Sequence, residues 1–197
     1  STGGAAPSAG AGGEATAGGA SGGAGGSGLD GPSEPLATTL AVDLNGRFQT
    51  LEGFGASVAW YGDWLTRHPH KAEIFDVVFR DLGLDILRLR NVYRDEPLDF
   101  DPVAVELVQA AAASLGRSPS VLLTSWTPPA RLKANGDTEC VGESSCTLRT
   151  LDGAFDYAGF ADYWRDSLAA YAALGIDVDL VSIQNEPDFI PPSWEGC

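Results

Sequence analysis

Short apolar runs alternate with longer amphipathic runs along most of the chain, and this alternation restricts the fold more than any other feature. Residues 53–58, 86–89, 121–124 and 178–183 read as strands, too short and too rich in apolar residues to stand alone as helices. Between them lie three helical patterns. Residues 71–82 place Ile74, Val77, Val78 and Leu82 on one face; residues 103–115 open with Asp101 as cap and Pro102 in the first turn; residues 155–174 stop at Gly175. Strands alternating with helices imply a parallel sheet, either doubly wound or closed as a (β/α)8 barrel. No glycine-rich phosphate loop follows any strand, which weakens the nucleotide-binding alternative. Aromatic, amide and carboxylate residues follow instead, as expected at the C-terminal strand ends of a barrel. The predicted class is α/β, the N-terminal half of a TIM barrel (strands 1–4). A complete barrel takes about 250 residues and eight strands, so the chain is expected to be part of a longer protein.

Before residue 53 the pattern differs. Gly, Ala and Ser supply 26 of the first 35 positions, with no aromatic residue and only Glu14, Asp30 and Glu34 charged. Such a segment cannot bury enough apolar area to offset its ordering entropy, so residues 1–35 are expected to be a disordered linker of roughly 30 Å root-mean-square span. Residues 36–52 read as a β-hairpin around Asn45-Gly46, belonging to a side β-domain. Residues 53–197 are then the partial barrel domain, ending after its fourth strand.

The formal net charge of −15 argues against nucleic acids and anionic membrane surfaces, both polyanions, and leaves a neutral polymer compatible. No apolar run approaches the roughly 20 residues of a membrane span. A chain without Met reads Ser1 as a processing boundary, compatible with export. Cys140 and Cys146 share one polar loop and are candidates for a local disulfide in an oxidising compartment, while Cys197 has no mate in the chain. Zinc held with His68 or His70 is a weaker alternative, since these two flank Pro69 in a polar, surface-type connection.

The segment Val181-Ser182-Ile183-Gln184-Asn185-Glu186-Pro187 carries the most chemistry. An apolar strand delivers an amide and a carboxyl group at its C-terminal end, and Pro187 stops the ladder. Cleavage of a glycosidic bond needs such a carboxylic acid to protonate the leaving oxygen, and a neighbouring amide can bond the sugar 2-hydroxyl. A solvated glutamate capping the next helix is the bland alternative.

With that segment, three others acquire meaning: Leu51-Glu52-Gly53-Phe54-Gly55-Ala56-Ser57, Ile86-Leu87-Arg88-Leu89, and Leu123-Thr124-Ser125-Trp126-Thr127-Pro128-Pro129 followed by Leu132-Lys133-Ala134-Asn135-Gly136. In this order and spacing, residues 48–197 resemble the first half of glycoside hydrolase family 30, a group of glucosylceramidases, β-1,6-glucanases, xylanases and glucuronoxylanases in the retaining (β/α)8 clan. The resemblance implies Glu186 as general acid/base, Asn185 on the 2-hydroxyl and Arg88 near the nucleophile. It also implies Trp126 in the sugar subsite, with Trp60 as a further cleft residue. It implies a secreted or cell-surface, monomeric enzyme acting on a β-linked carbohydrate of glucan or xylan type, with no metal or organic cofactor.

Two departures lie where substrate preference is set. Arg131 stands where the family carries an aromatic residue, and the loop holding Cys140 and Cys146 is lengthened. The family's nucleophile comes from the seventh strand, and Asp188 and Glu195 lie too near Glu186 in sequence to replace it. The chain alone is therefore expected to be inactive. Two other readings remain open at this point, a cellulase-like hydrolase of another family in the clan and a non-catalytic carbohydrate-binding barrel.

Overall fold

The computed structural model describes residues 40–95, 100–140 and 146–196. The expected linker at 1–35 and Cys197 lie outside them, as do the first residues of the expected hairpin. The chain divides into two units, Ser1–Arg47 and Phe48–Cys197. In the first, the Gly46 amide donates to the Asp43 carbonyl at 3.3 Å and the Asn45 amide to the Asp43 side chain at 2.9 Å. The turn at Asn45-Gly46 is thus formed, yet no strand pairing flanks it among residues 40–52. Leu40, Val42 and Leu44 are exposed, and a lone two-stranded ribbon with no apolar face covered is marginal in water.

The second unit is built on four parallel strands, β1 (Gly55–Ser57), β2 (Ile86–Arg90), β3 (Ser120–Thr124) and β6 (Leu180–Ser182), hydrogen-bonded in that order. Arg88 stands opposite Ser57 on one side and Leu122 on the other, and Leu122 opposite Leu180. Each strand joins the edge left by its predecessor, with no reversal of order. Doubly wound sheets reverse at a switch point, so the winding is that of a barrel wall. β1 requires glycine at its start, because a Cβ on Gly55 would lie 2.3 Å from the Ile86 carbonyl oxygen.

Side chains alternate across these strands. Leu87, Leu89, Val121 and Leu123 are buried in a core completed by Phe75, Phe79, Leu107, Ala111, Tyr163, Tyr171 and Ile176 from the helical layer. Burying such a side chain stabilises the fold by roughly 1.5–3 kcal/mol. Arg88, Arg90 and Thr124 take the alternate positions and point to the opposite face.

Two helices match expectation closely. In α3 (Pro102–Leu115) the Asp101 carboxylate accepts from the Ala104 amide at 3.0 Å, and the helix ends at Gly116 with φ 68°. In α4 (Tyr157–Ala173) Asp156 accepts from the Gly159 amide at 2.8 Å, and Gly175 with φ 78° closes the end. The expected helix at 71–82 differs. α2 (Lys71–Phe75) widens into a π-turn at Asp76–Asp81, with Leu82 donating to Val77 across five residues. The widening rotates the face, so Phe75 and Phe79 fill the core while Val77 and Leu82 are exposed. A six-residue helix α1 (Gly62–Arg67) is also present; its Gly62 lies so close to α3 that a Cβ would meet Val103 at 2.7 Å.

The long connection after β3 holds a 3-10 turn at Ala130–Leu132 and a small antiparallel pair, β4 (Thr150–Leu151) and β5 (Ala154–Phe155). Cys140 and Cys146 are joined as a disulfide with Cα atoms 5.3 Å apart. That bond removes both thiols from any zinc site.

Candidate active site

The site is assembled at the C-terminal ends of β2, β3 and β6. Beyond β6 the Asn185 amide donates to the Ser125 carbonyl at 2.8 Å, tying the exit of one strand to that of its neighbour. Glu186 then takes a left-handed backbone, φ 46°, and the Phe189 amide donates back to its carbonyl at 3.0 Å. This tight turn leaves the Glu186 side chain exposed. No hydrogen bond or ion pair engages its carboxylate among the described residues.

Arg88 projects from the middle of β2 into the same region. Its Nε donates to Thr124 Oγ1 at 3.0 Å and its Nη2 to Asn185 Oδ1 at 2.6 Å. A guanidinium held at both ends this way has its plane fixed, and it lies over the Trp126 ring at 4.8 Å. Gln184 Nε2 donates to the Trp126 carbonyl at 2.7 Å, and the Trp60 ring meets Trp126 edge-on at 5.7 Å. The five residues singled out from sequence, Trp60, Arg88, Trp126, Asn185 and Glu186, thus come together. They line one open cavity of about 540 Å3 with Phe189 and Trp194.

Sequence reasoning missed the support around this cavity. Arg90 lies over Trp60 at 4.2 Å and is ion-paired with Glu195, which also receives Arg94 Nη2 at 3.1 Å. Arg90 was accessible in principle, because it lies two residues beyond Arg88 on the same strand face. Trp194 and Glu195 gave no periodic signal, since the segment holding them is irregular. That segment is held by the connection after β3: the Cys140 amide donates to the Trp194 carbonyl at 3.1 Å, Glu139 pairs with Glu195, and Lys133 Nζ donates to the Gly196 carbonyl.

Arg131 makes a two-pronged pair with Asp95 at 2.8 and 2.9 Å. The pair holds the Asp95 carboxyl below its ordinary range, mainly through the guanidinium hydrogen bond. Behind Trp60 a second cavity of about 320 Å3 is lined by Asp63, Arg90 and Asp101 among others. Burial raises the Asp101 carboxyl above its ordinary range, opposed by hydrogen bonds from Ala104 and Tyr171. His68 and His70 are exposed in the link between α1 and α2.

No family model matches the chain. It is 27% identical over 171 residues to the glucuronoxylanase XynC of Bacillus subtilis (strain 168), covering 81% of this chain. In fold it is similar to a glycoside hydrolase family 30 subfamily 8 xylanase from Clostridium acetobutylicum, with TM-score 0.58 and 30% identity over 76% of this chain and 35% of that one. The catalytic domain of the family 30 xylanase C from Talaromyces cellulolyticus shares the fold at TM-score 0.57 and 21% identity, over 76% of this chain and 39% of that one. The chain spans about 35% of the length of the curated relative it matches. In sequence and in fold together the chain is similar to glycoside hydrolase family 30 enzymes, over roughly that share of those proteins.

Proposed function

We propose that the protein carrying this chain is a retaining hydrolase of β-linked polysaccharides of the xylan or glucan type, with Glu186 as its general acid/base. The observation that supports it most is the convergence of Glu186, Asn185 and Arg88 between Trp60 and Trp126 at the ends of parallel strands. In this reading the rings pack against the apolar faces of pyranose units. The Asn185 amide bonds the 2-hydroxyl of the sugar being cleaved, and Glu186 protonates the departing oxygen and later deprotonates the attacking water. Oxidised Cys140 and Cys146 favour action outside the cell.

A retaining mechanism needs a second carboxylate about 5–5.5 Å from the first. Neither nearby acid fits. Glu195 is neutralised by Arg90 and Arg94, and Asp188 sits on an exposed turn. We therefore place the nucleophile outside these 197 residues, and Arg88 close to it.

The test uses the longer protein and aryl β-xylosides and β-glucosides. Glu186→Ala should lose turnover, and added azide should restore it with formation of the β-glycosyl azide, because azide needs no proton removed. Undiminished turnover in that variant would sink the assignment. Binding of oligosaccharides with no turnover in the wild type would instead favour a carbohydrate-binding barrel.

A further inference from the structure

We infer that Glu195 is a positioning residue for the aromatic wall of the cleft, holding Arg90 beneath Trp60 and fixing the segment that carries Trp194. The inference builds on reading this cleft as a glycan site, but its core claim concerns the wall itself.

Glu195 is clasped by two guanidinium groups, Arg90 on one carboxylate oxygen and Arg94 on the other. The three side chains are only 18–22% exposed. Exposed ion pairs contribute little, but removing one partner from a largely desolvated set leaves the others uncompensated. Here the remainder would be two like charges side by side.

What Arg90 does next gives the pair its consequence. Its guanidinium lies 4.2 Å from the Trp60 ring centroid, and Trp60 in turn meets Trp126 edge-on at 5.7 Å. Buried Arg90 Nε has no hydrogen-bond partner among the described residues. The carboxylate and the ring are thus direct contacts on this guanidinium, with the Asp101 charge acting on it from the cavity behind. The backbone of the same glutamate is paired with Glu139, and both neighbours are tied down, Trp194 by Cys140 and Gly196 by Lys133. Glu195 thus links two sides of the cleft, its main chain on the disulfide loop and its side chain on β2. Sugar stacking depends on ring placement, and a displacement of about 1 Å can cost a large factor.

The experiment compares the longer protein, made inactive by Glu186→Gln so that oligosaccharides persist, with its further Glu195→Gln, Glu195→Asp and Arg94→Gln variants. Acrylamide quenching of Trp60 is read as the difference from matched Trp60→Phe proteins, and xylohexaose and gentiotetraose are titrated by calorimetry. Glu195→Gln should raise Trp60 quenching and weaken oligosaccharide binding about tenfold, a change of 1.4 kcal/mol, with the far-ultraviolet circular dichroism unchanged. Arg94→Gln should leave Trp60 in place, because Glu195 still holds Arg90. If Glu195→Gln fails to fold, Glu195→Asp, which keeps the charge on a shorter arm, gives the same reading at smaller amplitude. Trp60 quenching equal to the parent protein in the folded Glu195 variants overturns the inference. A parent protein that binds neither oligosaccharide, with quenching raised by Glu195→Gln, upholds the positioning and removes the glycan reading.

Discussion

Arg88 Nη2 lies 2.6 Å from Asn185 Oδ1, and because a guanidinium can only donate, that contact fixes which end of the amide is which. The Asn185 nitrogen is left as the end that can serve a ligand. Two substitutions separate the parts of this arrangement. Arg88→Met frees the amide to turn and should weaken oligosaccharide binding by about tenfold, the scale of one hydrogen bond to a charged group. Asn185→Asp keeps an acceptor for Arg88 but lacks the donor, so it should bind as poorly while losing no thermal stability. Calorimetry with xylohexaose and a melting curve on each variant check both statements.

Leu123 is fully buried in the core beneath the site. Truncation to alanine should lower unfolding free energy by about 2–5 kcal/mol, combining lost transfer energy with the cavity left behind. Urea unfolding followed by tryptophan fluorescence measures this directly.

Asp95 and Asp101 should respond to acid with opposite signs. Arg131 depresses the Asp95 pKa, so its stabilising contribution is present above the unfolded carboxylate value and fades as pH falls through the lower folded one. The Asp95→Asn variant should therefore be less stable than wild type at pH 7, by about 0.5 kcal/mol for a pair this exposed, and equal to it in strong acid. Burial raises the Asp101 pKa, so its proton-linked contribution is full below the unfolded value and is lost as pH rises through the folded one. The gap between wild type and an Asp101→Asn variant should change with pH in the reverse direction. Melting curves between pH 1.5 and pH 7 decide both.

Asp101 also caps α3 and accepts from the Tyr171 hydroxyl at 2.9 Å. Loss of the cap in Asp101→Ala should cost about 1–2 kcal/mol at neutral pH. Tyr171→Phe should be milder, because it leaves the Ala104 bond in place.

The Cys140–Cys146 bridge closes a loop of a few residues, so replacing both cysteines by serine should cost about 2 kcal/mol if chain entropy dominates. The loss should be accompanied by greater solvent access to Trp194, whose carbonyl is bonded to the Cys140 amide. Equal acrylamide quenching of Trp194 before and after would show that the loop does not anchor that segment.

The strands, the cap at Asp101 and the stop at Gly175 were legible because each rests on local chemistry, whereas the helix expected from residue 155 begins only after its Asp156 cap. Trp60, Arg88, Trp126, Asn185 and Glu186 were named from the motifs that carry the resemblance, and their meeting in one cavity became visible only in three dimensions. The rotated face of α2 was not, since a π-turn depends on how Phe75 and Phe79 pack and not on spacing alone. Helix α1 is six residues long and gives too few turns to show a period. Of the hairpin expected at 36–52, the described residues 40–52 show the Asn45-Gly46 turn without strand pairing, since a turn is encoded locally but pairing needs a covered face. The pairing of Glu195 was not legible because its partners are 105 and 101 residues away.

Glu186 sits with φ 46°, where a side chain costs about 1 kcal/mol and glycine costs nothing. Folding by itself therefore favours glycine at this position, and the carboxyl group stands against that preference. Lineages in which the site has fallen idle should drift toward glycine or asparagine here sooner than at Asn185, whose own φ is not positive and imposes no such bias. Position 186 is thus a sensitive historical record of whether a descendant of this fold still uses its acid.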